Sequence, residues 1–467
     1  HDIKESSVPF DIQRKLTPKE IEETVKYCKH DVEQTIEVFL ERKDDFEAHI
    51  GLVKLACKDK PLNLNLLSKT KVQLSSIILD AVRTDYDDEF DIDFPHTMEI
   101  KKYKQVVDWY AKEENRRYQL PNGSKNQFEI MVAGVPHVFG WGGVHGALDK
   151  YHGEGYFLNM DVASLYPTLM INYNLGSRSM KDPNKYEEIY HTRLKYKAEG
   201  NPLQLPLKEV LNGTYGAMKN PNNPLYDPRQ ANRVCVYGQL LLLDLIEKLE
   251  PYCKIIQSNT DGVLIKMHKS DDYNLIDDIA HEWEQRTKLT LEFDEYCKVA
   301  QKDVNNYIIV PHDDPNKYES KGAYVKKLDK LDYDLPIINK ALVEYIIHNV
   351  PVERTINECD QFKEFQLVSK ISGKYTHILH GREPLKEKCI RIFASKNFNH
   401  PGVTKVNKRT GSEEKISNSP KNCFIFNDNV NEAKVPEKLD KQWYIDLANK
   451  RLEDFGFSAT RTLFDLR

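Results

Sequence analysis

"IIQSNTDGVLIK", residues 255–266, is two short β-branched and aliphatic runs around a polar tip. Asn, Asp and Gly supply a tight reversal, so Ile255-Ile256 and Val263-Leu264-Ile265 are expected as the two strands of a hairpin. A turn accounts for Gly262, and for Asp261 as a turn former. Any further role for Asp261 needs a partner elsewhere in the chain.

Asp161 is that partner. It ends "YFLNM" (156–160), a run too apolar for a surface strand, and "SLYP" (164–167) follows, where Pro167 bends the chain into a new element. A carboxylate at the exit of a buried strand can serve as a helix N-cap. If the strand lies beside the hairpin, however, two carboxylates meet, and like charges a few ångströms apart repel unless a cation sits between them. Hard oxygen ligands with open positions suit Mg²⁺ shared with waters and substrate phosphates. Two such ions bridged by two aspartates activate a 3′-hydroxyl and stabilise a leaving pyrophosphate, so the pair suggests phosphoryl or nucleotidyl transfer.

A triphosphate needs counter-charges, and residues 172–225 read as helical and basic. Arg193 and Lys197 stand at i, i+4, while Lys208, Asn212, Tyr215 and Gly216 stand at i, i+4, i+7 and i+8, each set on one helix face. Gly200, Pro202 and Pro206 are expected to form the reversal between two helices. A solvated face also accounts for Arg193 and Lys197. It accounts less well for "KEVLNGTYG" (208–216), because an exposed helix has no need of Asn-Gly in its interior; glycine there lets another backbone or a base pair come close.

With 467 residues and 40% hydrophobic composition, two to four domains with real cores are expected. The longest apolar stretch, "VCVYGQLLLLDLI" (234–246), is too short to span a bilayer and is interrupted by Gln239 and Asp244, so no membrane segment is expected. The start "HDIKESSVPF" has neither an initiator Met nor the layout of a signal peptide and reads as the middle of a longer chain. Eight cysteines without a C-x-x-C pair argue against a zinc site or a secreted disulfide scaffold, and a reducing, cytosolic setting is expected. The net charge of −5 hides an uneven distribution: "DYDDEFDID" (85–93) is acidic, whereas residues 371–424 hold 11 Lys/Arg against 4 Glu and no Asp. Helices are expected over 17–58, opened by Thr17-Pro18 and Glu20 as a capping box, again briefly over 96–119, and over 231–250, with an amphipathic one at 438–457.

These residues carry a resemblance. "DVASLYP" (161–167) resembles motif A of the family B DNA polymerases, "KEVLNGTYG" their K-x-x-x-N-x-x-Y-G motif B, and "NTDG" (259–262) their D-T-D-S motif C, in the family's order. "YCKHD" (27–31) is similar to the third motif of the family's proofreading exonuclease, and "WGGVHG" (141–146) to the glycine-rich link between exonuclease and polymerase. The likeness is greatest to phage-encoded members. It implies an α+β fold: a right-hand polymerase with an antiparallel-sheet palm, short helical fingers and a mixed, mainly helical thumb, preceded by a remnant of an RNase H-like 3′-5′ exonuclease domain. The implied spans are 1–60 for the exonuclease remnant, 61–130 for connecting helices, 131–171 and 226–310 for the palm, 172–225 for the fingers and 311–467 for the thumb and C-terminal region.

The resemblance implies a DNA-directed DNA polymerase that uses two Mg²⁺ ions, dNTPs and primer-template DNA, in bacterial host cytoplasm if phage or prophage encoded. Asp161 and Asp261 would ligate metal with the Val162 carbonyl. Ser164 and Leu165 would hold the triphosphate through their amides, and Tyr166 would stack under the sugar as a steric gate. Arg193, Lys197, Lys208 and Asn212 would contact the triphosphate; Tyr215 and Gly216 would line the nascent pair. Lys302, Tyr307, Lys321 and Gly322 would contact duplex, and the basic 371–424 stretch would clasp phosphates without sequence preference. No replisome or processivity partner is identifiable.

The chain departs from the family pattern in several places. Asn259 replaces the first aspartate of motif C and Gly262 the serine, while Asp261, the family's metal-bridging position, is intact; activity is expected, with Asn259 the place where it would be reduced. "KDVNNY" (302–307) is less basic than usual, which weakens Lys302 as a duplex contact. The 47 positions from Asp161 to Lys208 imply stubby fingers without the long insertion of protein-primed relatives. Of the exonuclease carboxylates only Asp31 is recognisable, with Tyr27 beside it, so no proofreading is expected. Two rival readings are a non-catalytic nucleic-acid-binding relic and a primase-like or RNA-templated transferase; intact Asp161, Asp261, Lys208 and Asn212 oppose the first, and bulky Tyr166 the second.

Overall fold

The computed structural model describes residues 3–458 apart from 4, 5, 11, 59, 270, 271 and 330, so the ends of the first and last implied spans lie outside the described residues. A nine-stranded, wholly antiparallel sheet organises the first two thirds of the chain. Its strands are β1 (Gln127–Val132), β2 (Val135–Gly140), β3 (His145–Ala147), β4 (Tyr151–Val162), β5 (Lys254–Asn259), β6 (Gly262–Lys266), β7 (Leu291–Asp303), β8 (Asn306–Pro311) and β9 (Glu319–Lys321), in the order β1-β2-β3-β5-β6-β4-β7-β8-β9. The expected hairpin is β5–β6, with Asn259 opposite Gly262 and Thr260-Asp261 at the tip. Four consecutive buried residues on each arm place it in the middle of the sheet, covered on both faces.

The strand ending on Asp161 is β4, and it lies between β6 and β7, with Asp161 opposite Gly262 on one side and Glu292 on the other. The adjacency inferred between the two aspartates is therefore a direct strand pairing. Asp161 is not a helix cap; that position is Ser164, whose backbone is left-handed at φ 51°. Pro167 falls in the first turn of the following helix, where its missing N–H costs nothing.

The helices are α1 (Pro18–Glu41), α2 (Lys43–Cys57), α3 (Lys71–Ile78), α4 (Lys104–Ala111), α5 (Leu165–Asn172), α6 (Asn184–Ala198), α7 (Gln204–Lys219), α8 (Pro228–Leu249), α9 (Tyr273–Thr287), α10 (Pro336–His348), α11 (Val352–Glu358) and α12 (Lys441–Asp454). α1 opens with the expected capping box of Thr17 and Glu20. The helical stretch expected over 96–119 shrinks to the eight residues of α4, because Pro95 precedes it and a 3₁₀ turn at Glu113–Asn115 follows. α8 is buried along most of its circumference and packs against α5, α7 and α9; Gly238 permits close approach, since a Cβ there would stand 3.3 Å from Leu165. The α6–α7 reversal occupies 199–203. Pro206, expected in that reversal, instead lies in the first turn of α7, which proline's fixed φ favours.

A second core, including Ile338, Leu342, Phe362, Phe393 and Tyr444, gathers the C-terminal region. Beside α10–α12 it holds seven short strands: β10 (Leu367–Lys370), β11 (Tyr375–His380), β12 (Glu383–Pro384), β13 (Cys389–Ala394), β14 (Val403–Asn407), β15 (Glu413–Lys415) and β16 (Cys423–Ile425). They form sheets β10-β13-β16 and β12-β11-β14-β15. The region is thus mixed but less helical than expected, because "YTHILH" and "CIRIFA" are short β-rich runs punctuated by Gly turns. The basic 371–424 stretch is part of these two sheets.

The acidic run 85–93 is folded inward. Arg178 pairs with Asp88 at 2.7 Å and with Asp227, whose side chain has no exposed surface, at 2.8 Å; its guanidinium also lies 3.6 Å over the Tyr86 ring. Arg233 on α8 holds Asp93. Asp244, which interrupts the apolar run of α8, is buried against Arg286 at 2.9 Å. Among the described residues no helix is long and apolar enough to cross a membrane.

Candidate active site

The exit of β4, the tip of β5–β6 and helices α5, α6 and α7 enclose a cleft of about 380 Å³. Asp161 and Asp261 form one wall with Thr260, Val162 and Glu292. Arg193, Lys197, Lys208 and Asn212 form the other, with Ser164, Leu165 and Tyr166 between them. Two backbone bonds fix the acidic wall: Val162 N–H donates to Asp261 O at 2.7 Å, and Ala163 N–H to Thr290 O at 2.8 Å.

Among the described residues no ion pair involves Asp161 or Asp261. Burial pushes the Asp161 carboxyl up to about 6, and the facing Asp261 charge adds to this; one hydrogen bond, from Asn159 Nδ2 at 2.8 Å, opposes it. The carboxylate lies where a side chain at 262 would be, since a Cβ there would fall 1.7 Å from Asp161 Oδ1. Glycine at 262 therefore gives Asp161 its room.

The cationic wall is graded. Arg193 is buried and donates from Nη1 to Ser164 Oγ at 3.0 Å, and its Nε has no partner among the described residues. Lys197 reaches across to Glu292 at 3.8 Å with both side chains largely exposed, a loose contact that a phosphate can replace. Lys208 and Asn212 are exposed on the cleft side of α7. Tyr215 stacks on Tyr166, with ring centroids 4.3 Å apart at 39°. A Cβ at Gly216 would meet nothing, so this face of α7 is open, whereas Gly213 backs onto α3, where a Cβ would stand 2.8 Å from Ser75 Oγ. The Asn-Gly inside this helix thus serves helix packing on one side of α7 and leaves Asn212 on the other.

On the opposite side of the aspartates is a smaller hollow of about 80 Å³, lined by Asn159, Asn259, Gln257 and Tyr307. Tyr307 pairs with Lys321 across β8–β9. Gly322 has φ 94°, and a Cβ there would fall 2.1 Å from Asn305 O, so only glycine fits. Lys302 is engaged locally, its Nζ 2.8 Å from Asp303. Tyr27 and Asp31 lie on α1, away from the cleft-lining set, with Asp31 exposed.

Three residues of the site were not singled out in the sequence. Asn159 holds Asp161, Glu292 lies opposite it on β7, and Thr260 reaches the glycine strap, where a Cβ at Gly143 would fall 2.3 Å from its Oγ1. Glu292 had a signal in the alternating acids of "LEFDEY" (291–296), whose even register puts one acid beside the β4 exit.

No protein-family model matches the chain. Over 224 residues it is 27% identical to DNA polymerase 1 of Saccharolobus solfataricus, a match covering 47% of this chain and 23% of that protein. Over a little under half of its length the chain is thus similar in sequence to a DNA polymerase. Its matched stretch spans about a quarter of the length of that curated relative. Among solved structures, it is similar to the family B DNA polymerase from the hyperthermophilic archaeon Pyrobaculum calidifontis, with a TM-score of 0.47 and 14% identity, covering 96% of this chain and 57% of that one. The cleft brings together residues from all three stretches singled out in the sequence: Asp161, Ser164, Leu165 and Tyr166 from 161–167, Lys208 and Asn212 from 208–216, and Asp261 from 259–262.

Proposed function

We propose that the chain extends the 3′-hydroxyl of a DNA primer with dNTPs under the direction of a template strand. The observation that carries this reading is the cleft itself, in which two carboxylates without an ion-pair partner, one at the end of β4 and one at the tip of the adjoining β5–β6 hairpin, face a wall of three cations from a helical hairpin. A nucleoside triphosphate is complementary to that polarity.

The residues fit divalent metal. Asp161 and Asp261 face each other without a protein cation, and the Val162 carbonyl lies beside them. Two carboxylates leave the remaining positions of such ions to water and phosphate, as Mg²⁺ sites commonly do. When bound, two Mg²⁺ ions would lower the pKa of the primer hydroxyl and neutralise charge on the leaving pyrophosphate.

The chain's own contribution is positioning. Arg193, Lys197, Lys208 and Asn212 hold the triphosphate, with the backbone amides of Ser164 and Leu165 at the start of α5. Tyr166 closes the sugar pocket against a 2′-hydroxyl. Tyr215 and the open face at Gly216 take the nascent pair. Tyr307, Lys321 and Gly322 approach the duplex; Lys302 contributes there only if it leaves Asp303. The sheet core is the palm, α6–α7 the fingers, and the C-terminal sheets with α10–α12 the thumb, whose basic surface grips phosphates. Tyr27 and Asp31 belong to an exonuclease remnant. By its motifs' likeness to phage-encoded members, the chain replicates a phage or viral genome in the host cytoplasm.

Extension of a labelled primer on a template, with dNTPs and Mg²⁺, tests this. Asp261→Ala removes a ligand and should slow extension by roughly a thousandfold or more. Asn259→Asp adds back the family's carboxylate and should retain or raise the rate. Duplex binding without extension, unrescued by Asn259→Asp, would make the chain a binding module instead.

A further inference from the structure

Tyr166 is placed by more than its own backbone. Its ring rests on Tyr215 of α7, and Tyr215 is in turn held from beneath by α8, where its hydroxyl contacts the Sγ of Cys235. Cys235 is 1% exposed, so the thiol is a fixed floor. Lys219, one turn beyond Tyr215 on α7, completes the clamp. Its ammonium lies 3.3 Å from Cys235 Sγ, 3.3 Å from the Trp141 carbonyl and 5.0 Å from the Tyr215 ring centroid.

We infer that Cys235 and Lys219 are positioning residues for sugar selection: they hold Tyr215 against Tyr166 and so set how tightly the pocket excludes a ribose 2′-hydroxyl. This rests on the polymerase reading above. The physical argument is mechanical. An aromatic side chain excludes a single oxygen only if it cannot tilt, and Tyr166 sits at the start of a short helix with Tyr215 packed on its ring. The side of α7 at Gly216 is open, and besides Tyr166 itself the contacts that hold Tyr215 in place are the thiol on its hydroxyl and the ammonium on its face. Neither Cys235 nor Lys219 lines the triphosphate cleft, so loosening them should change which sugar is accepted more than how fast the correct one is used. The anchor extends to the glycine strap: Gln239, one turn beyond Cys235 on α8, donates to the carbonyls of Gly140 and Gly142 at 2.8 and 2.6 Å, fixing the segment whose Trp141 carbonyl takes Lys219.

The test is kcat/KM for dCTP and for CTP on one primer-template, for the unaltered chain and for Cys235→Ala, Cys235→Val, Cys235→Ser and Lys219→Met. Discrimination between the two sugars should fall by about tenfold in Cys235→Ala, the scale of a loosened pocket contact, through a gain in CTP use. Cys235→Val fills the volume without a hydrogen-bonding group and should fall similarly, while Cys235→Ser keeps one and should restore most of the discrimination. Lys219→Met should lie between them. Variants that extend with dCTP at the same discrimination as the unaltered chain overturn the inference alone. Loss of dCTP and CTP use in equal proportion does so too, because it marks a general packing role. Absence of extension by the unaltered chain overturns it together with the polymerase reading.

Discussion

Asp88 and Asp93, in the acidic run 85–93, each hold a guanidinium, whereas Asp161 and Asp261 face each other across two paired strands with none. The consequence is visible in their titration. The Arg178 guanidinium bonded to Asp88 holds that carboxyl below the usual range. Burial alone would raise Asp93, and Arg233 brings it below instead. Asp161 moves the other way, to about 6, through burial and the Asp261 charge. One acidic cluster is a fastener between chain segments 90 and 140 residues apart. The other keeps unrelieved repulsion at a cleft, the arrangement on which the proposed metal site rests.

The comparison is most exposed to failure at Asp227, the buried carboxylate that holds Arg178 from the far side and caps α8. Asp227→Ala takes a fully buried carboxylate from a guanidinium that is only a quarter exposed and removes the cap of α8, and should destabilise the fold by about 3 kcal/mol in denaturant unfolding. Asp261→Ala, in the same assay without metal, should change stability by no more than about 0.5 kcal/mol, since an exposed, unpaired carboxylate is lost. Equal costs for the two would erase the distinction between fastener and site.

The second break point is pH. In the folded chain Asp161 ionises near 6, above the ordinary 3.8 of the unfolded chain. Between those values unfolding releases a proton, so stability should fall as pH rises from about 4 to about 6, by on the order of 2 kcal/mol from this group. Asp88 acts oppositely: its contribution is present above the ordinary value and is lost as pH falls below it. Asp161→Asn should remove the first slope and leave the second, read as thermal midpoints against pH in metal-free buffer. An unchanged slope in that variant would mean that the repulsion is not stored at Asp161.

How much of this was legible in the sequence follows from where the periodicities run. Strand, helix and hairpin could be placed around Asp161, Lys208 and Asp261 because each motif is local, with its apolar pattern and turn residues within a few positions. Residues that reach the site through a strand pairing or a helix packing were invisible. Glu292 lies opposite Asp161 only because β7 pairs with β4, and Cys235 lies under Tyr215 only because α8 packs on α7. The partners of the acidic run were hidden for the same reason, since a count of charges along a chain cannot show that Arg178 and Arg233 fold onto it. The C-terminal strands were underestimated because short edge-rich sheets carry weak alternation.

The smallest expected effect sharpens the comparison from the other side. Asp80 accepts from Lys58 and Lys185, each at 2.9 Å, and these bonds draw its carboxyl down to about 2, with Lys58 the larger cause. By titration alone it resembles Asp88. Its side chain is 42% exposed, however, and that of Lys58 51%, so water and salt screen most of the attraction. Asp80→Asn should therefore cost only about 0.5 kcal/mol. Asparagine is the substitution of choice, because residue 80 has a left-handed φ of 49° that asparagine tolerates, leaving charge as the variable. In 1 M salt, where charges are screened within about 3 Å, the cost should vanish, while that of Asp227→Ala persists. A salt-insensitive loss of several kcal/mol at Asp80 would show that a depressed carboxylate marks a fastener regardless of burial. The expected result makes burial of the pair, rather than the pKa, the property that separates Asp227 from Asp80.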